Sequence, residues 1–166
     1  MASTRANGGG SGTPSRRERA MEEVGMTDEP TTIPIERGKI REFARACLDD
    51  NPDYTEATDP PVPPTFLTVR NFWMNAGTSP LARVGLDLRR LLHGGEEYVF
   101  HGPPPRAGED LTFQTRVDAI YEKEGKRGGS MTFVETVTEF RDGSGQLRVE
   151  CRSTAIETGR APNEER

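Results

Sequence analysis

The sequence predicts an α+β domain in which an antiparallel sheet wraps around a central apolar helix. In the first half of the chain apolar residues recur at helical spacing, and in the second half they alternate with polar residues as in half-buried strands. A stretch with four prolines, Asp59–Pro64, separates the first helical segment from the second. Helices that precede a run of strands are typical of α+β architecture.

The chain of 166 residues is expected to hold one domain, residues 31–159, between two flexible ends. Residues 1–30 are rich in Gly, Ser, Thr, Arg and Glu and have little to bury, so we expect a disordered tail. The tail lacks the apolar stretch of a secretory signal. Residues 160–166 are expected to be flexible too. Deleting Met1–Asp28 should therefore change neither stability nor activity.

Ile35–Leu48 is predicted to be an amphipathic helix. Its apolar residues share one face, and charged residues cover the other. Pro34 favours a helix start, and the polar stretch Asp49–Pro52 favours its end. The prolines of Asp59–Pro64 then exclude a helix and predict an extended connector.

Thr65–Asn75 is predicted to be the central helix, because its sequence is apolar most of the way round. The apolar residues are Phe66, Leu67, Val69, Phe72, Trp73 and Met74. A helix of this kind is normally buried at the centre of a fold. Gly77–Gly95 mixes leucines with arginines and is predicted to be an irregular flap with one short helix.

Four strands are predicted from the alternation in the second half of the chain. They are a short strand at Glu97–His101 and three longer ones at Leu111–Lys123, Ser130–Arg141 and Leu147–Thr158. Glycine-rich turns at 125–129 and 142–145 join the last three. An antiparallel meander around one helix matches a hot-dog fold.

Composition excludes several functional classes. A net charge of −5 argues against nucleic-acid binding, and the chain has no apolar run of the roughly 18 residues that a membrane span needs. Cys47 and Cys151 lack metal-ligand spacing and are expected to be buried, reduced thiols of a cytoplasmic protein, with no metal or cofactor. The small apolar content favours oligomerisation.

Three motifs resemble one known family. Asp49–Tyr54 (DDNPDY) resembles the D-x-N-P-x-H motif of MaoC-like (R)-specific enoyl thioester hydratases, with Asp49 at the acid position and Tyr54 where the family has histidine. Pro105–Glu109 (PRAGE) resembles a turn before a long strand, and Pro63–Phe66 (PPTF) the start of the central helix. The resemblance is to the N-terminal, FAS1-like dehydratase type, similar to the non-catalytic subunit of heterodimeric (3R)-hydroxyacyl thioester dehydratases.

The resemblance implies a double hot-dog assembly. One unit carries the Asp-His pair, and the other shapes the tunnel for the acyl chain and pantetheine. The implied reaction is reversible addition of water to a trans-2-enoyl thioester, which gives the (3R)-hydroxyacyl thioester. The substrate would be an acyl-CoA or acyl-carrier-protein thioester, and the partner a second MaoC-like chain with an intact Asp-His motif.

Turnover by this chain alone is not expected. Hydration needs a base that works near neutral pH, and a phenol, with an ordinary pKa of about 10, cannot replace imidazole at position Tyr54. In the active branch of the family a His-Gly pair opens the central helix; Pro64 stands there and has no N–H for the thioester oxygen. Asp49–Tyr54 also has a plainer interpretation, an acidic turn that ends a helix.

Other candidate residues have structural alternatives. The side chains predicted to line an acyl tunnel are Thr65, Phe66, Phe72 and Trp73. Core packing is the stronger interpretation of the aromatic ones. His93 and His101 are expected to be structural or exposed. Arg83, Arg89 and Arg90 would suit the phosphates of a CoA or carrier-protein arm, although a solvated basic patch is the simpler explanation.

Three functions remain open at this point. The first is a subunit of a heteromeric hydratase/dehydratase. The second is a homodimer that binds acyl-CoA without turnover. The third is a hot-dog thioesterase, which would need a carboxylate on the central helix; Thr65–Asn75 contains none.

Overall fold

The structure, a computed structural model, describes residues 22–74, 77, 79–125 and 129–159. The predicted flexible end at 160–166, residues 1–21 of the predicted tail and the centre of the turn at 125–129 lie outside these residues. Within them, no helix combines the length and apolarity needed to cross a bilayer.

A single five-stranded antiparallel sheet forms the frame of the fold, in the order β1-β3-β4-β5-β2. The strands are β1 (Thr31–Pro34), β2 (Leu91–Phe100), β3 (Asp110–Glu124), β4 (Ser130–Arg141) and β5 (Leu147–Glu157). The ends of the three long strands β3, β4 and β5 agree with the prediction to within one residue. The predicted α+β hot-dog outline is confirmed.

Strand β2 begins at Leu91, and the prediction that it begins at Glu97 is wrong. Its pairing with β5 shifts register between His93 and Gly95, which is a β-bulge. A Cβ at Gly94 would lie 2.8 Å from Cδ1 of Ile156, so a larger residue there would require the Ile156 side chain to shift. The two glycines therefore mark a bulge inside a strand rather than the end of a flap.

The N-terminal edge of the sheet is longer than predicted. Residues that the sequence assigns to the tail bond to β3: the Gly25 N–H donates to the Val117 carbonyl at 2.8 Å, and the Val117 N–H donates to Met26 at 2.9 Å. The Asp28 carboxylate accepts the Thr115 N–H at 2.7 Å. Amino-acid composition could not predict this pairing, because the backbone groups at a strand edge form hydrogen bonds whatever the side chains are.

Helix α1 (Arg37–Ala46) packs Ile40 and Ala44 into the core, and a short helix α2 (Pro52–Thr55) follows it. Cys47 lies just past the last turn of α1 and is exposed, so the expectation of a buried thiol is wrong for this residue and confirmed for Cys151. Two other short elements form the flap: α3 (Pro80–Val84), the predicted short helix, and a 3₁₀ helix, η2 (Leu88–Arg90).

The central element is a 3₁₀ helix, η1 (Phe66–Phe72), rather than a longer helix over Thr65–Asn75. With three residues per turn, it directs Phe66, Leu67, Val69 and Arg70 into the core. Phe72 lies past the last buried residue and is 82% exposed, so the core interpretation is wrong for this side chain.

Two apolar clusters stabilise the domain. The main cluster lies between the sheet and the helices; its largest fully buried side chains include Phe66, Phe113 and Phe140. The smaller cluster joins the flap to strands β3 and β4. It consists of Val84, Val117 and Val134 with Met26, Leu81, Leu86 and Ile120 around them. The N-terminal segment thus helps to hold the flap in place.

Candidate functional site

The loop with the Asp49–Tyr54 motif, here the motif loop, satisfies its polar groups locally. Oδ1 of Asp49 accepts the Asn51 N–H at 3.0 Å, and Oδ1 of Asn51 accepts the Asp53 N–H at 3.0 Å as the N-cap of α2. These are the hydrogen bonds of ordinary Asp and Asn turns. The structure therefore supports the plainer interpretation of Asp49 as a turn residue.

Tyr54 lies at the margin of the main apolar cluster. It belongs to α2, is half-buried and packs against the main apolar cluster. Its N–H donates to the Asn51 carbonyl at 3.0 Å. At the position of the family's histidine, the side chain of Tyr54 thus contacts the main apolar cluster.

Leu48, immediately before Asp49, has φ +58° and is 93% exposed. This left-handed conformation costs a residue with a Cβ roughly 1–2 kcal/mol. It turns the chain from α1 into the motif loop.

Among the described residues, no hydrogen bond links His93 or His101 to the motif loop. His93 is on β2 at the bulge, and His101 follows the end of that strand; both are exposed, as expected. Among the described residues, no three His, Cys, Asp or Glu side chains come together as a metal site.

The predicted turn at Pro105–Glu109 forms and locks the proline-rich connector to the sheet. Gly108 has φ +91°, which favours glycine, and the Glu109 carboxylate accepts the Arg106 N–H at 2.8 Å. The Val62 N–H donates to the Pro105 carbonyl at 2.8 Å, and Arg106 pairs with Asp59 at 3.1 Å. This motif therefore has a structural explanation.

The arginines proposed to meet phosphates differ in their contacts. Arg90 pairs with the buried carboxylate of Glu157 at 2.6 Å and so ties η2 to the end of β5. Arg89 pairs with Asp87 at 2.9 Å, which together with its hydrogen bonds lowers the pKa of Asp87 to about 2. Arg83 is exposed on α3. Arg90 is committed to the fold, whereas the other two lie at the surface.

An apolar groove of about 400 Å³ opens between η1 and the flap. Its lining residues are Asn71, Met74, Ser79, Leu81, Ala82, Leu86, Leu88 and Leu91. Of the predicted tunnel residues, Phe66 is buried against Phe43 with ring centroids 5.6 Å apart, and Trp73 is half-buried. Thr65 and Phe72 are exposed. The groove is therefore lined by Asn71 and Met74, which are adjacent in sequence to predicted tunnel residues, and by residues of the flap.

A polar cluster that extends from the core to the edge of the sheet, and which sequence reasoning missed, lies under η1. Its members are Arg70, Glu96, Tyr98 and Cys151, here the Arg70 cluster. Oε1 of Glu96 accepts hydrogen bonds from Nη1 and Nη2 of Arg70 at 3.2 and 3.3 Å, from the Tyr98 hydroxyl at 3.0 Å and from the Cys151 thiol at 3.2 Å. The cluster joins η1, β2 and β5.

The protonation states in the Arg70 cluster support one another. Burial raises the pKa of Cys151 to about 12 and also raises the pKa of Tyr98, so both remain donors. Burial opposes ionisation of Glu96 as well, but the hydrogen bonds from Cys151 and Tyr98 and the charge of Arg70 outweigh it and lower its pKa. Glu96 is therefore an anion held by three donors.

The signal for this cluster was present in the sequence. Arg70 is the only charged residue in the otherwise apolar stretch Thr65–Asn75, and an arginine on a buried helix needs an anionic partner. Its side chain is 9% exposed. The sequence could not identify Glu96 as that partner, because the two are 26 residues apart and β2 was predicted to begin after it.

Comparison with known proteins gives a consistent result. The family model described as FAS1-like, dehydratase domain region, matches residues 22–150. A UPF0336 protein of Streptomyces griseus is 30% identical over 135 residues, 76% of this chain and 86% of its own length. One from Streptomyces coelicolor is 37% identical over 106 residues, 58% of this chain and 70% of its own.

Two solved structures from Mycobacterium tuberculosis share the fold. The HadBC (3R-hydroxyacyl-ACP dehydratase) complex has a chain with a TM-score of 0.65 at 22% identity, which covers 80% of this chain and 96% of that one. The ChsH1-ChsH2 complex has one with a TM-score of 0.69 at 14% identity, which covers 90% and 94%. Both complexes contain two different chains.

Proposed function

Because the chain belongs to the family of FAS1-like dehydratase domains, we propose that it is one subunit of a heteromeric MaoC-like hydratase/dehydratase. The enzyme would interconvert trans-2-enoyl and (3R)-hydroxyacyl thioesters of CoA or acyl carrier protein. A second hot-dog chain would supply the Asp-His pair, and this chain would shape the acyl tunnel. The free thiols Cys47 and Cys151 favour a reducing, cytoplasmic setting.

The observation that carries this proposal is the state of the motif loop. Asp49 accepts a hydrogen bond from Asn51 inside its own turn, and Tyr54 packs into the core. A base and an acid within reach of one water are what hydration needs; the loop has no imidazole, and the Asp49 carboxylate at the acid position accepts a bond within its own turn. Catalytic groups must then come from another chain.

The apolar groove supports the second half of the proposal. Its volume of about 400 Å³ is in the range of small-molecule sites, and its leucines and Met74 suit an acyl chain. Asn71 and Ser79 provide polar groups at the same surface. Leu81 and Leu86 belong to the flap, so the flap would set how bulky an acyl group fits.

Reconstitution tests the proposal. The purified chain is mixed with a MaoC-like chain that has an intact D-x-N-P-x-H motif, and hydration of crotonyl-CoA and of a long-chain enoyl-CoA is followed at the enoyl thioester absorbance. We expect the mixture to exceed the sum of the separate chains by at least ten-fold on one substrate. Binding of acyl-CoA without turnover in any mixture would favour the acyl-binding homodimer, and hydrolysis of the thioester would favour a thioesterase.

A matched pair of variants tests whether the apolar groove holds the acyl chain. Leu86→Trp would fill the groove of this chain, whereas Leu88→Trp would alter an exposed side chain at its rim. If the groove holds the acyl chain, the first variant should lose the long-chain substrate and keep crotonyl-CoA. Equal losses on both substrates would show that the groove does not discriminate between acyl chains.

A further inference from the structure

Two leucines of the flap belong both to the apolar groove and to the smaller apolar cluster. Leu81 and Leu86 line the groove, and both also pack against the smaller apolar cluster. They therefore lie between the space in which a ligand would bind and the side chains that attach the flap to the sheet. Because protein interiors are close-packed and transmit changes of volume to their neighbours, the packing behind these leucines affects the shape of the groove.

The two ends of the flap are held by different kinds of contact. The η2 end is tied to β5 by polar bonds: the Thr158 N–H donates to the Arg90 carbonyl at 2.9 Å, and Arg90 pairs with Glu157 at 2.6 Å. Helix α3 contributes its buried Val84 to the smaller apolar cluster. Apolar burial is non-directional, so the position of α3 depends on how completely that cluster is filled.

Residues 25–28, here the strap, add one side chain to this cluster from the edge of the sheet. The N–H groups of Gly25 and Asp28 donate to carbonyls of β3 at 2.8 and 3.1 Å. Between these two bonds, Met26 is half-buried and packs against the smaller apolar cluster. The strap thus holds a long apolar side chain against the residues that support the flap.

The size of the side chain at position 26 should affect the width of the groove. Methionine is flexible and fills irregular gaps. Its replacement by alanine leaves space in the cluster, which the neighbouring side chains fill in part by moving. Leu81 and Leu86 could then move away from η1, which would widen the groove. Leu86→Trp fills the groove itself, so the two changes should alter its width in opposite directions.

We propose that Met26 is a positioning residue for the groove: it packs behind the flap, sets the width of the acyl site and so determines how well the site distinguishes a straight acyl chain from a bulky one. This inference rests on the proposed function, from which it takes the groove as the acyl site. It adds a residue that determines specificity from outside the groove. It concerns the shape of the ligand rather than turnover, so the two can fail separately.

Binding of two thioesters with equal numbers of acyl carbons tests this inference. Octanoyl-CoA has a straight chain and cyclohexylacetyl-CoA a ring, so their affinities should differ mainly through shape. Isothermal titration calorimetry on the full chain measures both affinities for wild type, Met26→Ala, Met26→Leu and Met26→Phe. Met131→Ala is the matched control: Met131 is also half-buried, but it lies on β4 and is not among the described members of the smaller apolar cluster.

Met26→Ala should raise the ratio of the affinity for cyclohexylacetyl-CoA to the affinity for octanoyl-CoA by about ten-fold, the scale on which an apolar pocket discriminates one methylene. Met26→Phe, which adds volume at the same place, should lower this ratio. Met26→Leu conserves volume and should keep the ratio within about two-fold of wild type, as should Met131→Ala. A side chain that only stabilised the fold would leave the ratio unchanged.

An unchanged ratio in both Met26→Ala and Met26→Phe, with a wild type that binds both thioesters, would overturn this inference alone. So would a Met131→Ala variant that shifts the ratio as far as Met26→Ala does. A wild type with no affinity for either thioester would overturn the acyl site and this inference together. A reconstituted mixture without turnover, in which Met26→Ala still shifts the ratio, would overturn the proposed enzyme and support this inference.

Discussion

The motif loop and the Arg70 cluster use polar side chains in opposite ways. In the motif loop, the side chains of Asp49 and Asn51 accept hydrogen bonds from backbone groups two residues away. In the Arg70 cluster, one carboxylate oxygen of Glu96 joins side chains from η1, β2 and β5. The side-chain hydrogen bonds of the motif loop are thus local, whereas those of the Arg70 cluster hold three elements together.

The comparison shows that the family's motif and the most connected polar side chains lie in different parts of this chain. The Asp49 carboxylate accepts the Asn51 N–H within its own turn, and we expect it to have no catalytic role. A buried charge must be paired, and Arg70 is paired with Glu96 at the edge strand. Substitutions in the cluster should therefore affect stability strongly, and substitutions in the loop should affect neither stability nor turnover of a complex by much.

The largest loss of stability should come from Arg70→Met. Removing the guanidinium leaves the Glu96 anion in a partly buried place without its cation, which costs about 3 kcal/mol of unfolding free energy. Urea unfolding followed by fluorescence of Trp73 measures this loss. Arg45→Met, an exposed arginine on α1, is the control and should stay within about 0.5 kcal/mol of wild type. Equal losses for both variants would contradict the importance of the cluster.

Acidification should weaken the same cluster. Because the folded state lowers the pKa of Glu96, its stabilising contribution is complete above the ordinary glutamate pKa of about 4.3 and is lost as pH falls through the lower folded value. Wild type should therefore be more stable than Glu96→Gln at pH 7, and the gap should narrow below about pH 4. A gap that widens on acidification would show that burial raises this pKa instead.

A smaller loss of stability is expected when the N-terminal segment is deleted. A chain that starts at Glu29 lacks Met26 in the smaller apolar cluster and the bond from Thr115 to Asp28, which together contribute about 2 kcal/mol. A chain that starts at Glu22 keeps both. The melting temperature of the shorter chain should be lower by several degrees. Equal melting temperatures would restore the sequence-based expectation that the whole tail is dispensable.

These contrasts also show how far the sequence could predict the molecule. The alternation of apolar and polar residues over Leu111–Glu157 predicts the long strands, because each strand has one face in the core and one in solvent. The start of β2 was missed because Gly94 and Gly95 interrupt that alternation at the bulge. The Arg70 cluster was missed because its hydrogen bonds join residues far apart in the chain, which no local pattern records.

The smallest effect should come from Asp49→Asn in a reconstituted complex. The amide oxygen of asparagine can still accept the Asn51 N–H, so the turn should survive. Turnover should stay within a few-fold of the wild-type complex, measured at the enoyl thioester absorbance. A loss of more than about a hundred-fold, the scale for a general base, would place Asp49 in the catalytic machinery and remove the contrast with the Arg70 cluster.

The most direct test of the central claim is the rate at which the purified chain alone hydrates crotonyl-CoA and a long-chain enoyl-CoA. The structure predicts no turnover above the rate in buffer, because the motif loop offers Tyr54 in place of a base and an Asp49 already bonded to Asn51. Turnover that is present in the chain alone and abolished by Asp49→Asn would contradict this account, since it would show that the loop still carries out the reaction.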